Sequence, residues 1–543
     1  MKKSNFILLI IFALILRLLF INKEQGLWND EYVSWMISQK PFFGGFWKSI
    51  FAQCHMPFYY IYLKILTKCF GNSDFLLRLT SIIPALVSIP IMYLVGKEAD
   101  SRRTGKYCAV FCAISSFLIF YSQEVRLYSL LFLISALSLL FTLKILKSPS
   151  NKNIIGYLIS NFFILFTHTI GFVYVFFNLL YVSIKLFKSH KSQIKTIWLT
   201  IFVCGLIFSP QVIKILTEKT FSQWWGHFTP SKILFVFTDY FSPYLVNLTN
   251  APDKFFYNPT LKFFLFCIIP SCIAFGFLIK SLYKRTRNLQ LLFLSILTLS
   301  ILIIASIAGK LVLLTKYSIE IYPILILLVC IGAGSIENRI LRRFLVSIYI
   351  ILSLFFMFTS PKAAQRMPRT EGHNIVAKML YNCKLKDGDI ILIQYYGKDR
   401  FGKYFDFSKY KTYSMNKGNF PKYLINGVDY SMAYKNGKTL YKPLFLGENN
   451  DYFIKTLDNE ILSDMQSGQN LVVITFDGVA MLSDENLKTI ASNEQFYSKV
   501  PIMYLIFSYL KNKTTEQCLK TLEFSGYQSA GSWSAFKFTK VNK

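Results

Sequence analysis

Apolar runs of about 18 or more residues recur through the first 360 residues, and this recurrence limits the fold more than any other feature. Coiled as a helix, each run is long enough to cross the hydrocarbon of a bilayer. A soluble domain could not hide so many of them. With 53% of its 543 residues hydrophobic and 17% aromatic, the chain reads as a polytopic α-helical membrane protein.

The charge pattern orients those spans. Lys and Arg number 60 against 29 Asp and Glu, a formal net charge of +31. The excess is not gathered on one soluble module, as nucleic-acid binding would require. It lies in short clusters between apolar runs: Arg102, Arg103 and Lys106; Lys185, Lys188, Lys191 and Lys195; Lys284, Arg285 and Arg287; Arg339, Arg342 and Arg343. Loops kept on the cytoplasmic side retain Lys and Arg in this way, and such clusters also attract anionic lipid headgroups. The partners implied are membrane lipids and no nucleic acid. The ten cysteines lie mostly inside apolar segments and form no C-x-x-C pair, so neither a disulfide framework nor a zinc site is legible. The opening MKKSNFILLIIFALILRLLF has no A-x-A cleavage site and reads as the first membrane helix, with Lys2 and Lys3 inside.

These signals predict about eleven crossings, with boundaries good to several residues. Helix 1 covers about 5–22 and runs outward, followed by an outside loop over 23–73 in which FYYIYLKILTKCF (58–70) suits a helix lying at the interface. Further spans are expected near 75–95, 107–121, 127–146, two within 154–187, 197–215, 260–280, 290–308, 318–336 and 344–360. A second outside loop, 216–258, contains Trp224 and Trp225, which suit a headgroup anchor better than a sugar platform. An odd number of crossings from an inside start places the C-terminus outside. The protein is therefore expected in the cell (inner) membrane with an exoplasmic, periplasmic tail.

Residues 361–543 change character. Charges become frequent, DIILIQYY (389–396) and LVVITF (471–476) read as strands, and EQCLKTLEFSGY (516–527) reads as a helix. The expected division is a transmembrane domain over 1–360 and a soluble α/β domain over 361–543. The tail shows no nucleotide loop, and no nucleotide cofactor is expected. A divalent cation is left open.

The membrane part holds only twelve acidic residues. The topology puts Glu98, Asp100 and Glu337 inside, and Glu24, Asp30, Glu31, Asp74, Glu124, Glu218, Asp239, Asp253 and Glu320 on or near the outer face. Charge beside hydrocarbon is expensive, so an acid held at a helix end generally has a partner or a task. Three outer turns stand out. The first carries Asp30 and Glu31, with His55 later in the same loop. The second is Gln123-Glu124-Val125-Arg126-Leu127-Tyr128. The third carries Lys316 and Tyr317, with Glu320 one turn on, and the hairpin tip at His168 adds a fourth.

A cavity rimmed by these turns would combine carboxylates able to act as a general base with cations able to hold a phosphate. Arg126 could grip two phosphate oxygens and Lys316 would act as a point charge. Apolar helices alongside would take a lipid tail. Blander readings stand beside this one. Asp30 and Glu31 alone suit a solvated loop equally well, and Glu124 with Arg126 suits a structural ion pair at a turn. His55 could cap the interfacial helix, His168 could be a satisfied interfacial histidine, and Lys316 could snorkel. Arg17, inside helix 1, suits snorkelling or pairing with an outer acid.

Four short motifs occur in order: L-W-x-D-E (27–31), H-x-P-x-Y-Y (55–60), S-Q-E-x-R-x-Y-S-L (122–130) and T-H-x-x-G-F (167–172). Together they resemble the bacterial branch of the protein mannosyltransferase-like glycosyltransferases, family 39 of the GT-C superfamily, relatives of the aminoarabinose transferases of lipid A. T-E-G-H-N-I-V-A-K-M-L before K-D-G-D-I-I-L-I is similar to the soluble domain of these proteins. The resemblance implies a multi-pass enzyme that takes a sugar from a polyprenyl-phosphate donor on the exoplasmic face. Transfer to a glycolipid, glycan or protein acceptor would invert the anomeric carbon. Asp30 matches the first-loop acid that serves as general base, and Glu31 would support it or help bind the acceptor or a metal. Glu124, Arg126 and Tyr128 match the second-loop motif; His55, His168, Lys316 and Tyr317 fall at donor- or acceptor-binding positions. His55-Met56-Pro57 departs from the usual His-Pro-Pro. Lys316-Tyr317 stands where Arg-Tyr is common, keeping a cation but losing a bidentate grip.

The main alternative is a transporter or flippase of lipid-linked glycans, which should carry polar groups and broken helices near the bilayer midplane. Ionisable residues gathered at the outer ends favour chemistry at that surface.

Overall fold

The computed structural model describes residues 3–19, 21, 26–53, 55–187, 190–217, 228, 230–241, 261–308, 312–359, 373–393, 401–414, 434–435, 438–439, 462–463, 465–476, 522–530 and 533–540. The chain divides into two compact units, Met1–Asn22 with Val33–Met367 and Lys23–Tyr32 with Pro368–Lys543.

Helices in chain order are α1 (Lys3–Leu18), α2 (Asn29–Gln39), α3 (Trp47–Ala52), α4 (Phe58–Phe70), α5 (Asp74–Ala99), α6 (Arg102–Ile114), α7 (Ser116–Ser122), α8 (Tyr128–Lys147), α9 (Asn151–Thr167), α10 (Gly171–Leu186), α11 (Lys191–Thr217), α12 (Ser231–Phe241), α13 (Leu261–Leu282), α14 (Thr286–Ile307), α15 (Tyr322–Gly334) and α16 (Arg339–Thr359). A 3-10 turn, Thr315–Ile321, leads into α15. Each expected span falls on a helix, and the expected interfacial helix is α4. Among the described residues five helices are long and apolar enough to cross a bilayer alone, or six if α6 and α7 count as one span. α1, α9 and α10, with 16, 17 and 16 residues, fall short of that length.

The span expected over 107–121 is broken: α6 and α7 meet at a 52° bend. Ser115 leaves the helical conformation, and its hydroxyl caps α7 by accepting from the Leu118 N–H at 3.3 Å. The carbonyls set free at the break are taken by Arg17, which donates to Ala113 O at 2.9 Å and Cys112 O at 3.2 Å. Arg17 is fully buried, so it neither snorkels nor pairs with an acid as its sequence position suggested. Hydrocarbon offers no water to freed carbonyls, and a guanidinium supplies several donors at once.

Two devices hold the rest of the bundle. Ser138 and Thr142 of α8, Asn161 of α9 and Asn178 of α10 form a buried network of amides and hydroxyls, with links of 3.1–3.5 Å. α13 and α15 approach through Gly332, where a Cβ would stand 1.7 Å from the Phe277 carbonyl oxygen. At the end carrying the basic loops, Lys147 pairs with Glu98 at 2.6 Å and Lys284 with Asp100 at 2.7 Å. Lys147, Arg285 and Arg287 also donate to the last carbonyls of α5, where cations suit the helix dipole. Burial alone would raise the Asp100 carboxyl. Hydrogen bonds from Lys284 and Thr104, the Lys284 charge and the Ser101 hydroxyl together hold it below the ordinary carboxylate range.

In the second unit, helix α17 (His373–Asn382) accompanies strands β1 (Ile390–Ile393), β2 (Lys411–Ser414), β3 (Tyr434–Lys435), β4 (Lys438–Thr439), β5 (Asn470–Phe476), β6 (Leu522–Ala530) and β7 (Trp533–Lys540). Five form a sheet in the order β2-β1-β5-β7-β6, and β3 pairs with β4. β2, β1 and β5 run parallel, while β7 is antiparallel to both β5 and β6. Val376 and Leu380 of α17 pack with Phe401, Phe405, Val472 and Ile474. Both expected strands are present as β1 and β5, although 394–396 lie outside the described residues. The helix expected over 516–527 is overturned from Leu522 onward, and 516–521 lie outside the described residues. Cross-strand pairing wins there: the segment runs antiparallel to β7, with Phe524 in register with Phe538 and Tyr527 with Phe536, and the register shifts between Phe524 and Gly526.

Gly332→Val should drive a side chain into the α13 backbone and lower the melting temperature of the purified protein by several degrees, on an overpacking cost of about 1–3 kcal/mol or more. Gly276, with nothing within 4 Å of its Cβ position, is the control: Gly276→Ala should melt as wild type does.

Candidate functional site

The Asp30-bearing segment belongs to the second unit. Gly26 adopts φ +73°, and a Cβ there would lie 2.8 Å from both the Asn374 side chain and the Tyr404 hydroxyl, so only glycine fits without movement. The next residue, Leu27, donates its N–H to Tyr404 Oη at 2.8 Å. α2 starts two residues later, with Asp30 and Glu31 in its first turn. Glu31 is fully buried, and its carboxylate reaches back to accept the Trp28 N–H at 3.2 Å, the return bond of a capping box. Asp30, beside it, is partly exposed. Of the two acids, Glu31 has a structural task in starting the helix and Asp30 is the more accessible to solvent.

In the first unit the other outer turns gather. The second turn is tight and buried: Arg126 N–H donates to Glu124 O at 2.8 Å, and Ser81 of α5 donates its hydroxyl to the same carbonyl at 2.5 Å. Gln123 reaches Arg17 O and Leu19 O at the end of α1. The Arg126 guanidinium lies 5.9 Å from the Tyr128 ring centroid and donates to Ser34 Oγ at 3.3 Å. Lys316 from the 3-10 turn places its ammonium 6.0 Å from the same ring and 5.2 Å from that of Tyr317. Two cations thus approach one aromatic ring, a contact worth about 0.5–2 kcal/mol each according to desolvation.

His168, the C-cap of α9, joins this group. Its Nδ1 stands 2.6 Å from Glu320 Oε1, and its ring lies 6.0 Å from Tyr317. Both partners are buried, His168 at 7% and Glu320 at 1% exposure. The 3-10 turn carrying Lys316, Tyr317 and Glu320 is held from α12. Tyr240 donates its hydroxyl toward Ser318 O at 2.7 Å, and Thr315 donates to Asp239 Oδ2 at 2.7 Å. Tyr240 also stacks on Tyr322 at 4.3 Å. Arg126, Tyr128, Lys316, Tyr317 and His168 are therefore brought together. His55 stands further along an aromatic chain: its ring stacks on Tyr60 at 5.3 Å, Tyr60 meets Tyr59 at 5.5 Å, and Tyr59 lies within electrostatic reach of Arg126. Its carbonyl accepts from Gln211 of α11 at 2.9 Å.

Among the expected outer acids, Asp30 and Asp74 are partly exposed and Glu31 is buried. Glu124, Asp239 and Glu320 are all buried. Glu24, Glu218, Asp253, Trp224 and Trp225 lie outside the described residues. Among the described residues no three His, Cys, Asp or Glu side chains gather as a metal site.

The family model of dolichyl-phosphate-mannose-protein mannosyltransferases matches residues 54–213, which include α4 to α10 and the Gln123–Tyr128 turn. ArnT from Cupriavidus metallidurans in the apo state superposes with a TM-score of 0.53 at 11% identity, covering 98% of this chain and 97% of that one. The fold is the ArnT fold. The same protein bound to undecaprenyl phosphate superposes at a TM-score of 0.52 and 11% identity, covering 99% and 98%. No curated protein matches in sequence.

α12 and its grip on the 3-10 turn escaped the sequence reading, because a short amphipathic helix in a loop leaves no span signal. Asp239-Tyr240 inside an apolar stretch was the one available cue.

Tyr404→Phe should remove the anchor of the Leu27 amide at a cost of about 1 kcal/mol, raising hydrogen exchange of the 26–32 peptide roughly fivefold. Exchange in 470–476, within β5, should stay unchanged.

Proposed function

We propose that the chain is an integral membrane glycosyltransferase that moves a sugar from a polyprenyl-phosphate donor to an acceptor hydroxyl on the exoplasmic face of the cell membrane. The observation that carries this reading is the gathering of Arg126, Lys316 and His168 around the Tyr128 and Tyr317 rings. Cations buried at the end of an apolar bundle suit a phosphate whose lipid tail lies along the helices. Undecaprenyl phosphate bound to a protein of the same fold supports that choice of donor.

In this reading Asp30 takes the acceptor O–H proton as the oxygen attacks the anomeric carbon. The carbon–oxygen bond to phosphate breaks, and its electron pair leaves with the lipid phosphate. One displacement inverts the anomeric centre. Lys316 and Arg126 offset the charge that grows on the departing phosphate. Glu31 supports the step by shaping the helix start on which Asp30 sits, and Glu124 holds the Arg126 turn through its carbonyl. The transporter reading gains nothing from the α8–α9–α10 network, whose members are amides and hydroxyls bonded to one another.

Mass spectrometry of envelope glycolipids, glycans and glycoproteins with and without the protein should show one sugar lost from one acceptor class. Wild type should restore it. Asp30→Asn should lower transfer by about 10²-fold or more while the variant accumulates normally in the membrane. Full transfer by Asp30→Asn would overturn the general-base assignment, and an unchanged envelope would overturn the transferase reading.

A further inference from the structure

We infer that Glu320 and His168 act as one unit that completes a subsite for the phosphate monoester of a polyprenyl lipid, with His168 Nε2 as the contact and Glu320 as the positioning residue. This rests on the donor reading above and adds to it a residue, Glu320, whose place behind His168 only the geometry reveals.

The pair is costly where it stands. A carboxylate and an imidazole at 1% and 7% exposure lose most of their hydration, and such a pair is retained when its geometry serves something. At 2.6 Å the Nδ1–Oε1 contact is short and charge-assisted. In the doubly protonated ring Nδ1–H donates to Glu320 Oε1, which fixes the ring orientation, and Nε2–H is left to donate to a phosphate oxygen. Among the described residues Glu320 Oε2, the other oxygen of that carboxylate, is buried without a hydrogen-bond partner. Tyr174 of α10 and Tyr240 of α12 lie within electrostatic reach of Glu320. His168 and Lys316 both approach the Tyr317 ring, at 6.0 Å between ring centroids and 5.2 Å from the ammonium.

The chemistry then separates by role. Lys316 is a point charge without directional preference, and Arg126 is already engaged with Ser34. A phosphate monoester offers oxygens in several directions and gains from a directional donor as well as charge. His168, backed by a carboxylate, supplies that direction, and its imidazole separates Glu320 from the incoming anion.

The test uses the full chain in lipid nanodiscs and three probes: undecaprenyl phosphate, undecaprenol and inorganic phosphate. Wild type should bind the lipid phosphate more tightly than the lipid alcohol. His168→Ala and Glu320→Gln should each weaken undecaprenyl phosphate about tenfold and leave undecaprenol unchanged, a selective loss that a general packing defect would not give. His168→Gln, which restores an N–H near the Nε2 position, should recover part of the preference. An unaltered preference in both His168→Ala and Glu320→Gln, with lipid phosphate still bound, would overturn this inference alone. Equal binding of phosphate and alcohol by wild type would overturn the donor reading and this inference with it. Inorganic phosphate binding as tightly as the lipid phosphate, and lost in both variants, would overturn the lipid identity of the occupant.

Discussion

A guanidinium inside hydrocarbon must give its protons to something, and Arg17 gives them to the carbonyls of Cys112 and Ala113. That one exchange permits the break between α6 and α7. A continuous helix would carry the chain straight on past Ser115; the 52° bend instead redirects it. α7 ends at Ser122, and Gln123 returns to the backbone of α1 at Arg17 and Leu19. The position of Arg126 and Tyr128 follows from this closed circuit. Removing Arg17 would leave freed carbonyls without donors in a medium that offers none.

The acids divide by what surrounds them. Glu320 faces His168, Asp239 accepts from Thr315, and Glu31 accepts from its own helix start. Each is buried, and each is matched by a donor whose role is structural or positional. Asp30 differs in being partly exposed on a turn that Tyr404 anchors. Gly26 and Leu27 fix that turn without burying Asp30: glycine allows the close approach, and the Leu27 N–H donates to Tyr404 Oη.

Much of this was legible from residue order alone. Apolar runs and basic clusters marked every span, because both are averages over many residues and survive local irregularity. α4 could be read to the residue, since its aromatic and cationic pattern covers the whole helix. Local failures have local causes. The α6–α7 break depends on Arg17, 95 residues away in sequence from Cys112, and no window along the chain sees that pair. Leu522–Tyr527 carries helix-compatible residues, yet β7 offers an antiparallel backbone ladder, and sheet pairing overrides propensity. Among site residues, Arg126, Tyr128, Lys316, Tyr317 and His168 could be named from motifs. Their assembly around two rings could not, because it depends on α12 holding the 3-10 turn.

Sharing a fold at 11% identity means that most of the bundle answers to the bilayer rather than to chemistry. Apolar side chains interchange freely when lipid is the solvent, so fold likeness carries little information about the reaction. What carries it is the small set of groups that lipid penalises. Lys316 in place of an arginine is informative on that ground. An ammonium cannot form the paired hydrogen bonds of a guanidinium, so a site built around it needs directional donors from elsewhere. Arg126 shares the Tyr128 ring with Lys316, and His168 shares the Tyr317 ring with it, so two groups with directional N–H donors lie in the same cluster as the ammonium.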